Sequence, residues 1–106
     1  MVKEIHIDHF AAVAVQGAMV VDVRERHEYV DGHVPGATCL PLAELAHRAH
    51  ELPRAQPVYL ICESGNRSMT AAVMLADRGH QAVSVAGGTS AWRGRGRPVV
   101  RGPRQG

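Results

Sequence analysis

The tightest constraint on this chain is a change of period at one point. Val58, Tyr59, Leu60 and Ile61 form an unbroken apolar run, the pattern of a strand covered on both faces in a parallel sheet. The run stops on Cys62. After Glu63, Ser64 and Gly65 the spacing becomes helical: Met69, Ala72, Val73 and Ala76 predict a helix over Arg67 to Arg78 that faces a sheet, with Gly79 as its stop. A buried strand that feeds a helix through so short a loop belongs to an α/β architecture.

The flanking sequence repeats the alternation. Ile5 to Ile7 reads as a short edge strand, Asp8 as the cap of a helix running through Val15, and Gly17 as its stop. Met19 to Val23 reads as a buried strand. Arg24 to Gly36 is a polar connection in which Asp31, Gly32, His33 and Pro35 interrupt any period. Thr38 to Leu40 predicts a strand, and Leu42 to Ala49 a helix with Leu42, Leu45, Ala46 and Ala49 inward. Ala82 to Val85 is the last strand; Gly87 and Gly88 turn the chain, and Thr89 caps a short helix carrying Ser90, Ala91 and Trp92. The expectation is one α/β domain over residues 1–106 with a central, mainly parallel sheet and helices on both faces. Its folded core ends near residue 100, leaving 101–106 as a flexible basic tail.

Charge and cysteine usage narrow the function classes. Residues 1–92 hold seven Lys or Arg against ten Asp or Glu, whereas Arg93, Arg95, Arg97, Arg101 and Arg104 follow with no acid. Nothing around these arginines resembles a base-reading module, so they read as a solvated terminus and nucleic acid is not an expected partner. The two cysteines, Cys39 and Cys62, form no CxxC pair, which leaves no disulfide framework or thiolate zinc site. His47 and His50 lack a third ligand nearby, and no metal is expected. No stretch reaches the roughly 20 apolar residues of a membrane span, and the opening MVKEIHIDHF lacks the apolar core of a secretory signal. A cytoplasmic location is expected.

Chemistry concentrates at Cys62, Glu63, Ser64, Gly65, Asn66, Arg67 and Ser68. Backbone N–H groups at a helix start lack intrahelical partners, and a loop that curls back aims them at an anion in its centre. Gly65 supplies the freedom for the curl. The helix dipole and Arg67 favour thiolate over thiol at Cys62, so its pKa should be depressed. Cys39, among Ala37, Thr38, Leu40 and Pro41, reads as packing. A cysteine and an arginine around an N–H cradle suit phosphoryl transfer or sulfur transfer. Cysteine-dependent phosphatases use a loop one residue longer than the four residues between Cys62 and Arg67. The tighter ring suits one extra sulfur atom.

Four segments in order resemble the rhodanese family. VVDVRERHEYVDGHVPGA (20–37) is similar to its Asp-Val-Arg strand end and Gly-His-Ile-Pro-Gly-Ala turn, and CESGNRS (62–68) to its active loop. VAGGTSAW (85–92) is similar to its Gly-Gly turn and tryptophan helix, and GRPVV (96–100) to its closing segment. The resemblance implies a sulfurtransferase without a cofactor. Cys62 would take sulfur from a small anionic donor such as thiosulfate, hold it as a covalent persulfide, and pass it to cyanide, a low-molecular-weight thiol or a protein thiol. It implies that residues 63–68 bind the substrate, with Arg67 helping to hold the donor. Asp22, Arg24 and His33 would support the site. Glu63 departs from the cationic or neutral residue common after the family's cysteine, and its charge should disfavour the thiosulfate dianion. A persulfide carrier or regulatory module, and a phosphatase or arsenate reductase of the same fold, are the alternatives.

Overall fold

The structure is a computed structural model that describes residues 2–106. Its elements run β1 (Lys3–Ile5), α1 (Ile7–Ala14), β2 (Met19–Asp22), α2 (Arg26–Asp31), β3 (Thr38–Cys39) and α3 (Leu42–Arg48). A 3-10 turn (Ala49–Glu51), β4 (Pro57–Ile61), α4 (Asn66–Asp77), β5 (Gln81–Val85) and α5 (Gly88–Gly94) complete the chain. The strands form one sheet in the order β1-β5-β4-β2-β3, with every pair parallel.

Alternation along the central strands divides the core in two. Val21, Val58 and Leu60 face one way and pack with Leu45, Ala71, Ala72 and Leu75 of α3 and α4. Val20, Ile61 and Val85 face the other way and pack with Ile7, Phe10, Tyr29 and Trp92 of α1, α2 and α5. Both faces of the sheet are therefore covered, as the continuous apolar run at β4 requires. β4 sits in the middle, so its carboxyl end opens onto the centre of one edge of the layers.

Several boundaries differ from expectation for local reasons. β1 ends at Ile5 because His6 caps α1: its backbone is extended and its Nδ1 accepts the Asp8 N–H at 3.2 Å. Asp8 lies in the first turn, and its carboxylate reaches Arg95 Nε at 2.9 Å. The connection from Arg24 contains α2, started by a capping box in which the Glu25 N–H donates to Glu28 Oε1 at 3.0 Å. In α4 the buried face is Ser68, Ala71, Ala72 and Leu75, while Val73 and Ala76 are exposed. That phase is set by Ser68, which is anchored beneath the loop. Ala46 of α3 is likewise exposed and Leu45 carries the contact. Thr89 is not the cap of α5; Gly87 is, at φ 78°.

Residues 101–106 were expected as a flexible tail. In the structure, Gly102 N–H donates to Val30 O at 2.8 Å, Gly36 N–H to Gln105 O at 2.9 Å, and Gln105 Nε2 to Thr38 Oγ1 at 2.6 Å. Val100 exchanges backbone hydrogen bonds with His33 just before. The end of the chain lies along the connection between α2 and β3.

Candidate active site

Cys62 follows the last residue of β4 and is 1% exposed. Gly65, at φ 112°, turns the chain back so that its N–H donates to Cys62 Sγ at 3.1 Å before α4 begins at Asn66. Ser68, one turn into α4, places Oγ 3.5 Å from the same sulfur. The thiol donates to that hydroxyl, which in turn donates to Gly65 O at 3.1 Å and shares a 2.8 Å hydrogen bond with Ser84 Oγ of β5; against a thiolate the hydroxyl's one proton can rotate to the sulfur. Ser84 was not singled out from the sequence; a polar residue inside an apolar strand is the signal that could have found it.

The loop's first carbonyls are turned away from the sulfur by α5. Cys62 O accepts from Thr89 N at 2.8 Å and from Thr89 Oγ1 at 3.0 Å, and Glu63 O accepts from Ser90 N at 3.0 Å. Gly88 makes this approach possible, because a Cβ there would lie 2.4 Å from Cys62 O. Burial pushes the thiol up, but the Ser68 hydroxyl and the N–H groups of Ser68, Gly65 and Ser64 outweigh it, so the pKa is lowered from the ordinary 9.0. The depression expected from the sequence is present, carried by hydrogen bonds to the sulfur.

Arg67 makes no hydrogen bond to the sulfur, though the Cys62 charge acts on it. Its guanidinium makes a bidentate pair with Glu28 of α2, at 2.7 and 2.9 Å. Glu63 joins Arg24 at 3.1 Å and Arg93 of α5 at 3.0 Å, so its charge is compensated on both sides. Glu28 was not singled out from the sequence, because charged residues on amphipathic segments carry no positional signal of their own; Arg93, read there as part of a solvated terminus, instead lies in α5 and pairs with the loop. Ser64 and Asn66 are exposed at the rim.

Three comparisons with known proteins meet this geometry. The Rhodanese-like domain family matches residues 6–95. The chain belongs to the rhodanese-like family. It is 40% identical over 77 residues to a putative sulfur carrier protein, YrkF, of Bacillus subtilis, covering 72% of this chain and 42% of that protein. It is 36% identical over 92 residues to the thiosulfate sulfurtransferase GlpE of Pseudomonas fluorescens, covering 86% and 84%. The chain spans less than two thirds of YrkF and, at 63%, of the uncharacterized protein YqhL of the same Bacillus. A rhodanese-related protein from Thermoplasma volcanium superposes with TM-score 0.86 at 32% identity, over 92% of this chain and 97% of that one.

The remaining residues anticipated from the sequence frame this rhodanese loop. Asp22, at the end of β2, and Arg24 are fully buried and joined by three side-chain hydrogen bonds of 2.8–3.2 Å. Arg24 continues to Gly32 O at 2.8 Å and to Glu63, so one guanidinium ties β2, the α2–β3 connection and the loop together. His33 stacks on Tyr29 with ring centroids 3.6 Å apart, and its Nδ1 lies 2.8 Å from Tyr29 O. Its other ring nitrogen lies 3.3 Å from Gln105 O, so it pins the connection to backbone carbonyls. Cys39 lies in β3, where burial and then Asp22 push its thiol up. No helix among the described residues is long and apolar enough to cross a membrane.

Proposed function

We propose that the protein is a sulfurtransferase that carries sulfane sulfur as a persulfide on Cys62. The observation that supports this reading is Cys62 Sγ under the Gly65 N–H and beside the Ser68 hydroxyl, with its pKa lowered despite burial. The thiolate attacks the outer sulfur of thiosulfate or a related donor. The donor's S–S bond breaks, its electron pair leaves on sulfite, and the transferred sulfur becomes the anionic end of a persulfide. An acceptor nucleophile then attacks that sulfur, and the electron pair of the second S–S bond returns to Cys62 Sγ as thiolate. Such double displacement is ping-pong, and the cradle N–H groups stabilise both anions. The chemistry takes no cofactor, and thiols of the cytoplasm are suitable acceptors.

A persulfide carrier that delivers to a docked protein is the second reading, favoured by the likeness to the putative sulfur carrier YrkF. Phosphoryl transfer is disfavoured by the four-residue spacing and by the commitment of Arg67 to Glu28. Mass spectrometry after incubation with thiosulfate tests the proposal. A gain of one sulfur is expected in the wild type and in Cys39→Ser and its absence in Cys62→Ser; labelling at Cys39 overturns it. Slow thiosulfate turnover with efficient delivery to a co-purifying protein would select the carrier.

A further inference from the structure

The charge arrangement around the loop bears on which donors the site accepts. Arg24 is held by Asp22 and Glu63, Arg93 by the other oxygen of Glu63, and Arg67 by both oxygens of Glu28. The guanidiniums that belong to or touch the loop are thus met by an equal number of carboxylates. An anion approaching Cys62 finds N–H dipoles and a thiolate, but each of these cations already has a partner. Attraction to the dipoles and repulsion by the thiolate both double from a monoanion to a dianion, whereas the cost of stripping water grows with the square of the charge, so without a free cation entry costs the dianion more.

We infer that Glu28 is a specificity-determining residue: by holding Arg67 away from the sulfur it makes the site favour sulfur donors bearing one negative charge over the thiosulfate dianion. The inference rests on the sulfurtransferase reading. Glu28 reaches the loop from α2 across 39 residues of sequence, and it is itself oriented by the capping box through its hydrogen bond from Glu25 N–H. Its carboxylate is the group that decides whether Arg67 faces α2 or the donor. Arg67 is the second residue of α4, directly after the loop, so release of its bidentate pair places a mobile cation at the mouth.

Methanethiosulfonate and thiosulfate are a matched pair of probes, since both surrender an outer sulfur from an S–S bond and differ by one unit of charge. In the wild type, kcat/KM is expected to be higher for the monoanion. Glu28→Gln is expected to shift the ratio toward thiosulfate by about tenfold, the scale of one charge-assisted hydrogen bond, and E28Q/R67Q to abolish that shift. A ratio unchanged in E28Q, or shifted equally in the double variant, overturns the inference. The wild type supplies a test independent of how the variants fold: added salt should leave kcat/KM for thiosulfate constant or raise it, and a steep fall would reveal a free cation and overturn the inference. Failure of either donor to load sulfur on Cys62 would instead refute the sulfurtransferase reading itself.

Discussion

The Thr89 amide and the Cys62 carbonyl oxygen lie 2.8 Å apart, and this contact orients the first peptide of the loop. The Thr89 hydroxyl donates to the same oxygen and Ser90 N–H takes the next carbonyl, so the first turn of α5 collects the acceptors that would otherwise face the sulfur. A peptide whose C=O is turned outward turns its N–H inward. The anion-binding character of the loop is thereby imposed by a helix 27 residues further along the chain.

Replacing Gly88 tests that dependence. The residue sits at φ 58°, and a Cβ would fall 2.4 Å from Cys62 O and 2.7 Å from Glu63 C, both backbone atoms. Gly88→Ala must therefore displace the loop or the helix, at a cost of roughly 1–3 kcal/mol in urea unfolding. Sulfur loading should fall by more than the loss of folded protein accounts for. Full loading in the folded variant would show that the contact does not set the loop.

Ser68 governs the charge of the nucleophile. Burial favours the neutral thiol, and the largest opposing contribution is the Ser68 hydroxyl. Ser68→Ala removes it and also leaves Ser84 Oγ without its 2.8 Å partner. A hydrogen bond to a charged group contributes ~1.5–3 kcal/mol, so sulfur loading at neutral pH should slow by roughly tenfold or more. The rate–pH profile should move to higher pH, with recovery in alkaline solution. An unshifted profile would assign the thiolate to the backbone N–H groups alone.

The sequence was most informative where one residue had one structural solution. The apolar run of β4 specified a buried parallel strand, and Cys62 with Gly65 specified the turn after it, because both are local properties. Phase within α4 was not local: Val73 and Ala76 looked inward by spacing, yet Ser68, fixed beneath the sulfur, rotates them outward. The partner of Arg67 was equally invisible, since Glu28 lies on a helix whose N-cap is Glu25 and not one of the short polar residues that announce a cap. The ion pairs of Glu63 were invisible for the same reason. Its partners, Arg24 just after β2 and Arg93 in α5, are connected by no periodicity.

Arg24 is predicted to be the costliest charged residue to remove. It is 1% exposed, and Asp22 against it is wholly buried. Arg24→Ala leaves that carboxylate and Gly32 O without their donor and frees one side of Glu63. Breaking a buried pair by deleting one partner costs about 3–5 kcal/mol. Urea denaturation should show a loss of that size, whereas Arg95→Ala, which gives up an exposed pair with Asp8, should leave the midpoint close to that of the wild type. Similar midpoints for the two variants would contradict the buried network.

The Glu28–Arg67 pair should also be legible in acid. The Arg67 hydrogen bond is the main cause that brings the Glu28 carboxyl from 4.5 down to about 2. Its folded pKa lies below the unfolded one, so the pair's stabilisation is complete above about pH 4.5 and is lost as pH falls toward 2, where the carboxylate takes up a proton. Wild-type stability should therefore decline through that window more than Glu28→Gln, which has no proton to gain there. Glu44 has a similarly lowered pKa and remains in both proteins, so the difference between the two curves isolates Glu28. A direct reading comes from the carboxyl carbon resonance of Glu28, expected to titrate near pH 2 in the wild type and to move up toward 4.5 in Arg67→Gln. A Glu28 resonance that titrates at the same pH in both proteins would show that the guanidinium is not its partner in solution.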